Sequence, residues 1–272
     1  MGFKNFFKTE NNNEIKKLGL ALGSGGAKGM AHLGALKAFE EENIKFDIIT
    51  GTSIGSIIGC MYAKGYSSTD ILELFKTIDV SDIKRFIMIR MNMLNAQNII
   101  DDLMGEMNIE DLKIPFAAIS VDLNTGKEVV FKKGNVAKAV SASSAIAPFF
   151  KPVIIDDMSL VDGAYINAIP TDVAKEMGAD YVIGVDLSAY KLTEPPSKSF
   201  LDEFFPTNKI ANKNSRLKGY EYADVMLTPN LKDFRSTSLA GSEEMYEAGY
   251  SEAKSKMDEI KDGLKKLNMY KD

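Results

Sequence analysis

The apolar residues of this chain fall into short runs and longer stripes, and the alternation between them is regular. Leu18 to Leu22 is an apolar run of strand length that ends at a glycine. From Lys28 to Glu42 the period changes. Met30, Leu33, Leu36 and Phe39 recur on one face of a helix, and Ala31, Gly34, Ala35 and Ala38 keep it slim enough to pack closely. Phe46 to Thr50 reads as a second strand. Ile54 to Lys64 reads as a second helix, with Ile57, Ile58, Met61 and Tyr62 apolar. Strand, turn and helix repeated twice predict a parallel sheet with helices on its faces.

Further along, Asp70 to Phe75 is helical, and Ile114 to Leu123 is a buried strand. Lys127 to Phe131 pairs back on that strand through a turn at Asn124-Thr125-Gly126. Val136 to Ala147 is a helix of small residues stopped by Pro148. Val153 to Ile155 and Ser159 to Val161 are short strands around an acidic turn. Pro170 opens a helix, a position that suits its fixed φ. Tyr181 to Leu187 and Ala223 to Leu227 complete the strands. Lys191 to Leu217, with Pro195, Pro196 and Pro206, reads as a long loop or a mobile cover. From about Ser238 one long amphipathic helix is expected, with Tyr246, Tyr250, Ala253, Met257, Ile260, Leu264 and Leu267 as its stripe. The organisation is a polar tail over residues 1–17, then a single domain over 18–272, of three-layer α/β/α architecture with a mostly parallel sheet.

Composition narrows the class. The chain has 272 residues, 45% of them hydrophobic, which suits one large domain. A formal charge of −5 and a pI near 5.2 argue against nucleic acid as a partner, since phosphate binding needs clustered Lys and Arg. The single cysteine, Cys60, excludes an intramolecular disulfide framework and fits a reducing compartment. Neither a secretory signal nor an apolar run of membrane-spanning length is visible. The expected location is the cytoplasm, with transient contact at a membrane surface.

The chemistry sits in three turns. Gly23-Ser24-Gly25-Gly26-Ala27-Lys28-Gly29 joins the first strand to its helix. Such a loop can turn backbone N–H groups inward at a helix N-terminus, either for a nucleotide phosphate or for an oxyanion. Lys28 occupies the place of the last glycine of G-x-G-x-x-G. The Walker pattern fails too, because Gly29 rather than Ser or Thr follows Lys28. The second turn, Gly51-Thr52-Ser53-Ile54-Gly55, has the G-x-S-x-G form of a nucleophile elbow. A serine needs a base. The one histidine, His32, precedes Ser53, so the order serine, acid, histidine of the α/β-hydrolases is impossible here. The third turn is Asp162-Gly163-Ala164, which offers a carboxylate. An ordinary aspartate, with pKa about 3.9, is a poor base at neutral pH until burial raises it. Asp122 and Asp186, at the ends of other strands, compete for that role. Met88, Met91, Met93, Met104 and Met107 either pack in the core or line an adaptable acyl pocket.

The three turns in this order resemble the patatin-like phospholipases, and the compact bacterial members most closely. Asp122-Leu123, Thr125-Gly126 and Ala142-Ser143-Ser144 add to the likeness. The resemblance implies a Ser–Asp dyad without a catalytic histidine. Ser53 would be the nucleophile and Asp162 the base. Gly25, Gly26, Ala27 and Lys28 would supply the oxyanion hole, and Gly23, Gly29, Gly51, Gly55 and Gly163 are the motif glycines. Ser24 stands where that family usually has glycine, and Lys28 where it often has arginine, which cannot be matched by an ammonium in a bidentate contact. The implied activity is hydrolysis of fatty-acyl esters of phospholipids or lysophospholipids, with no metal or other cofactor. An esterase or thioesterase for small soluble acyl substrates, and a non-catalytic lipid-binding regulatory protein, are the alternatives.

Overall fold

The computed structural model describes residues 15–77, 101, 104–147, 150–192 and 206–270. The polar tail up to residue 14 and the methionine-rich stretch 78–100 lie outside them, and so do Pro148 and residues 193–205.

Eight strands among the described residues form one sheet. They are β1 (Leu18–Leu22), β2 (Ile48–Thr52), β3 (Phe116–Asp122), β4 (Lys127–Phe131), β5 (Val153–Ile155), β6 (Met158–Asp162), β7 (Tyr181–Val185) and β8 (Val225–Leu227). The order is β5-β6-β3-β2-β1-β7-β8, with β4 paired on β3. The centre, β3-β2-β1-β7-β8, is parallel, whereas β4 and β6 pair antiparallel with β3, and β5 pairs antiparallel with β6. The sheet is therefore mixed and mostly parallel, as the strand–helix alternation predicts.

The helices among the described residues are α1 (Met30–Glu41), α2 (Ile54–Lys64), α3 (Ser68–Thr77), α4 (Val136–Ser143), α5 (Thr171–Glu176), α6 (Pro206–Tyr222), α7 (Ser242–Ser255) and α8 (Met257–Lys266). Side chains alternate across a strand, so one strand feeds two cores. Leu18, Leu20 and Leu22 of β1 enter the larger core with α1, α2 and α7 residues, while Ala21 faces a smaller one with Ile169 and Ala174. Two helical layers thus enclose the sheet. No helix among the described residues is long and apolar enough to cross a membrane.

Three expectations change. The long C-terminal helix is two helices, α7 and α8, parted at Lys256 with its φ of −95° and ψ of −1°. Its buried line is Met245, Gly249, Ala253, Met257, Ile260 and Leu264, so the first turns lie one residue off the expected stripe. The second change concerns Lys191 to Leu217. Its later half belongs to α6, a helix with a polar sequence that docks through hydrogen bonds. Ser215 Oγ donates to Ala164 O at 2.8 Å, and Thr171 Oγ1 donates to Gly219 O at 2.7 Å. Third, the first helix begins at Met30, because Gly26–Gly29 closes into a 3-10 turn. Met104 is buried in the core and Met107 packs against it, while Met88, Met91 and Met93 fall outside the described residues.

Candidate active site

Ser53 links β2 to α2 with φ 56° and ψ −126°. That is a region ordinary L-residues avoid, and it lifts the side chain out of the strand. The turn is possible because its glycines leave no room for anything larger. A Cβ on Gly51 would lie 2.4 Å from Gly55 O, and one on Gly55 would lie 2.0 Å from Leu22 O. The elbow is therefore pressed against the end of β1, where the glycine loop begins.

The strained turn is tied on both sides. Ser53 N–H donates to Ser143 Oγ at 3.0 Å, and Ser56 Oγ donates to Ser53 O at 2.7 Å. Sequence reasoning gave neither serine a role. Ser143 belongs to the Ala142-Ser143-Ser144 stretch, and that likeness alone could have drawn attention to it.

Asp162 reaches the same place from another strand. Thr52 of β2 pairs with Ile119 of β3, and Ser120, one residue on, pairs with Asp162 of β6. Because β4 occupies the other edge of β3 over Ala118–Asp122, β2 and β6 lie end to end along one edge, and their C-terminal ends, which carry Ser53 and Asp162, face each other there. Asp162 is 1% exposed. Its Oδ1 accepts the Ala164 N–H at 2.8 Å. Oδ2 carries no fully formed hydrogen bond among the described residues, and the Ser53 side chain is the hydroxyl near enough to act on the carboxyl. Pairs of this kind are often loosely aligned until a substrate draws them together. Burial pushes the Asp162 carboxyl up to about 6, against the opposing pull of Ser53 and the Ala164 amide. It is still mostly ionised at pH 7, and far more basic than a surface aspartate.

The backbone groups of the glycine loop can be followed one by one. Gly23 N donates to Val185 O at 3.1 Å, and Ser24 N donates to Ala168 O at 2.9 Å. Gly23 O faces His32 Nε2 at 2.8 Å, which assigns that nitrogen the proton, since a carbonyl only accepts. Ala27 N donates to Ser236 O at 2.8 Å, and Lys28 N donates to Gly25 O at 3.3 Å. The Gly25 and Gly26 amides donate to no backbone carbonyl among the described residues. Of the four amides expected from sequence, these two are the uncommitted ones. The Ile54 amide, first in α2, is equally uncommitted and was missed by sequence reasoning.

Lys28 is 1% exposed, and its Nζ donates to Leu231 O at 2.7 Å. With Ser236 O on the Ala27 amide, it fastens the segment after β8 onto the loop. His32 is fully buried, and desolvation lowers it to about 4, so it is a neutral strut under Gly23. Asp122 is committed to a turn: it accepts from Asn124 N, Ser159 N and Thr125 Oγ1. Asp186 is held by Arg216, the Ser188 amide and the Tyr220 hydroxyl.

Residues 20–175 match the family model described as Patatin-like phospholipase. The human protein named Patatin-like phospholipase domain-containing protein 6 is 32% identical over 193 residues, covering 65% of this chain and 14% of its own length. An uncharacterized NTE family protein of Mycobacterium bovis is 33% identical over 178 residues, covering 63% of this chain and 49% of itself. The aligned part of this chain therefore spans half or less of these relatives. Among solved structures, VipD from Legionella pneumophila aligns over 90% of this chain and 67% of its own, with TM-score 0.58 and 13% identity, a likeness of fold.

Proposed function

From the chain's place in the patatin-like phospholipase family, to which it belongs by the match over residues 20–175, we propose that it is a serine acyl hydrolase acting on lipid esters through Ser53 and Asp162. The observation that supports the reading is a strained serine and a buried aspartate, raised to about 6, at the ends of two strands that abut along one edge of β3.

The chemistry follows from the atoms. Asp162 Oδ2 takes the Ser53 hydroxyl proton as Oγ attacks the ester carbonyl. The carbonyl oxygen gains negative charge and lies against the Gly25, Gly26 and Ile54 amides. Each donor in such a cradle is worth about 3 kcal/mol of barrier. Asp162 returns the proton to the leaving alcohol, and the acyl group stays on Ser53. The same carboxylate then deprotonates a water that releases the fatty acid. His32 takes no proton in this scheme, because full burial lowers it to about 4 and disfavours the charged ring. The substrate class, fatty-acyl esters of phospholipids or lysophospholipids, is supported by the family. A hydrolase for small soluble esters differs from it only in chain-length preference.

The test uses the full chain with p-nitrophenyl esters and a fluorophosphonate. Ser53→Ala is expected to abolish labelling, and Asp162→Asn to lower turnover by at least about a thousandfold, a loss of the size seen when an activating base is removed. Turnover and labelling equal to the parent in both variants would overturn the proposal.

A further inference from the structure

Beside the glycine loop lies a groove of about 530 Å³ between α3 and α7, floored by the start of α1. Its apolar walls are Met30, Leu72, Phe75, Leu239 and Tyr246. One end is linked to the candidate site by two routes. Ile54, next to Ser53, packs so tightly on Gly29 that a Cβ there would lie 2.3 Å from Ile54 Cγ1, and Met30 follows directly. Leu239 stands three residues after Ser236, whose carbonyl sits on the Ala27 amide. The other end is remote. Thr69 lines it, and its neighbour Ser68 hydrogen-bonds Glu40, at the far end of α1 from Met30.

We propose that this groove takes the fatty-acyl tail of the ester that Ser53 attacks. The inference rests on the acyl-hydrolase reading above. The volume is that of an ordinary small-molecule site, and the length runs along a helix rather than down into the core. The charges on the rim select the occupant. Glu243 and Glu247 contribute carboxylates, and Lys76 is already paired with Glu73 at 2.8 Å. A phosphate would meet net repulsion there, so the uncharged tail lies inside and the headgroup stays outside. Each methylene withdrawn from water contributes a factor of about four in binding, which makes chain length the natural readout.

Because the groove has a near end and a far end, it should act as a ruler. Thr69 and Leu72 are three residues apart, roughly 4.5 Å along α3. Leu72→Trp and Thr69→Trp each place an indole in the groove, Leu72 closer to Ser53. The experiment measures kcat/KM for p-nitrophenyl esters from four to sixteen carbons in the parent and both variants. Results are expressed as the ratio of long to short ester within each protein, so that loss of folded material cancels. Thr69→Trp should shorten the longest well-used chain by a few carbons. Leu72→Trp should shorten it further and lower the twelve-to-four-carbon ratio by about tenfold or more. Unchanged length profiles in both variants, with turnover still dependent on Ser53, would overturn the groove assignment alone. A groove that serves a protein partner would give that outcome. Turnover independent of Ser53 would instead overturn the reading beneath it.

Discussion

The ends of β6 and β7 both deliver a buried aspartate, and the two are opposite in character. Asp162 is 1% exposed and Asp186 is 0% exposed. Asp186 is answered on every side: Arg216 pairs with it, Tyr220 donates to Oδ2 at 3.2 Å, and the Ser188 amide donates to Oδ1 at 2.9 Å. Among the described residues Asp162 has one firm donor, the Ala164 amide, and beyond it the Ser53 hydroxyl. Residue type, burial and place at a strand end are shared, so the neighbours alone make the difference. A carboxylate surrounded by donors is a structural post. One left short of donors holds its proton more readily and can serve as a base.

The comparison breaks most visibly when Asp186 loses its cation. Arg216→Met removes the guanidinium and leaves a fully buried carboxylate. That should cost about 3–5 kcal/mol, read as a fall in the urea midpoint. A cost below about 1 kcal/mol would mean that Asp186 is not held as its partners indicate.

Asp162 should respond in the reverse sense. Its carboxyl stands at about 6 in the fold, up from its ordinary 3.8, so the ionised form is disfavoured by folding. The penalty is complete above about pH 6, and it fades as the pH falls toward 4 and the folded protein takes up a proton. Asp162→Asn keeps an oxygen for the Ala164 amide and removes the charge. It should therefore stabilise the protein by about 2–3 kcal/mol near pH 8, with the gain gone by about pH 4. Urea titrations at both pH values check the sign. A variant less stable than the parent at pH 8 would contradict the raised carboxyl. Activity falls while stability rises, the trade expected of a strained functional group.

The contrast also marks what can be read from a sequence. The glycine loop and the serine elbow are each one local turn, with their glycines and flanking strand and helix in adjacent residues, so both are legible. The mostly parallel sheet is legible for the same reason. Asp162 is not: Asp122, Asp162 and Asp186 all end strands, and only the resemblance singled one out. Partners from distant segments are invisible. Ser143 on the Ser53 amide, Ser236 on Ala27 and Leu231 on Lys28 join residues 90 or more apart. α6 was hidden because its docking face is made of Ser215, Arg216 and Gly219, which carry no apolar stripe.

Below both aspartates in size comes the tie on the elbow. Ser143→Ala leaves the Ser53 N–H buried and without an acceptor, a loss of roughly 1–3 kcal/mol. If the tie holds the nucleophile in place, the fluorophosphonate labelling rate should fall about tenfold, while the pH dependence of labelling stays where it was. Unchanged labelling in a destabilised protein would reduce Ser143 to a packing role.

The smallest expected effect is the most discriminating. A limb in rate near pH 6 is ordinarily assigned to histidine. Here the usual order is inverted, since His32 is lowered to about 4 and Asp162 is raised to about 6. The base must be ionised, so kcat/KM should rise with pH through about 6 and level off above 7. His32→Gln keeps an amide donor for Gly23 O and has nothing that titrates. The limb should stay within a few tenths of a pH unit, with kcat reduced only modestly. His32→Leu, which loses the donor, should lower kcat further without moving the limb. If the limb vanished in the glutamine variant, the imidazole would be the titrating group, and Asp162 would have no more claim to the proton than Asp186.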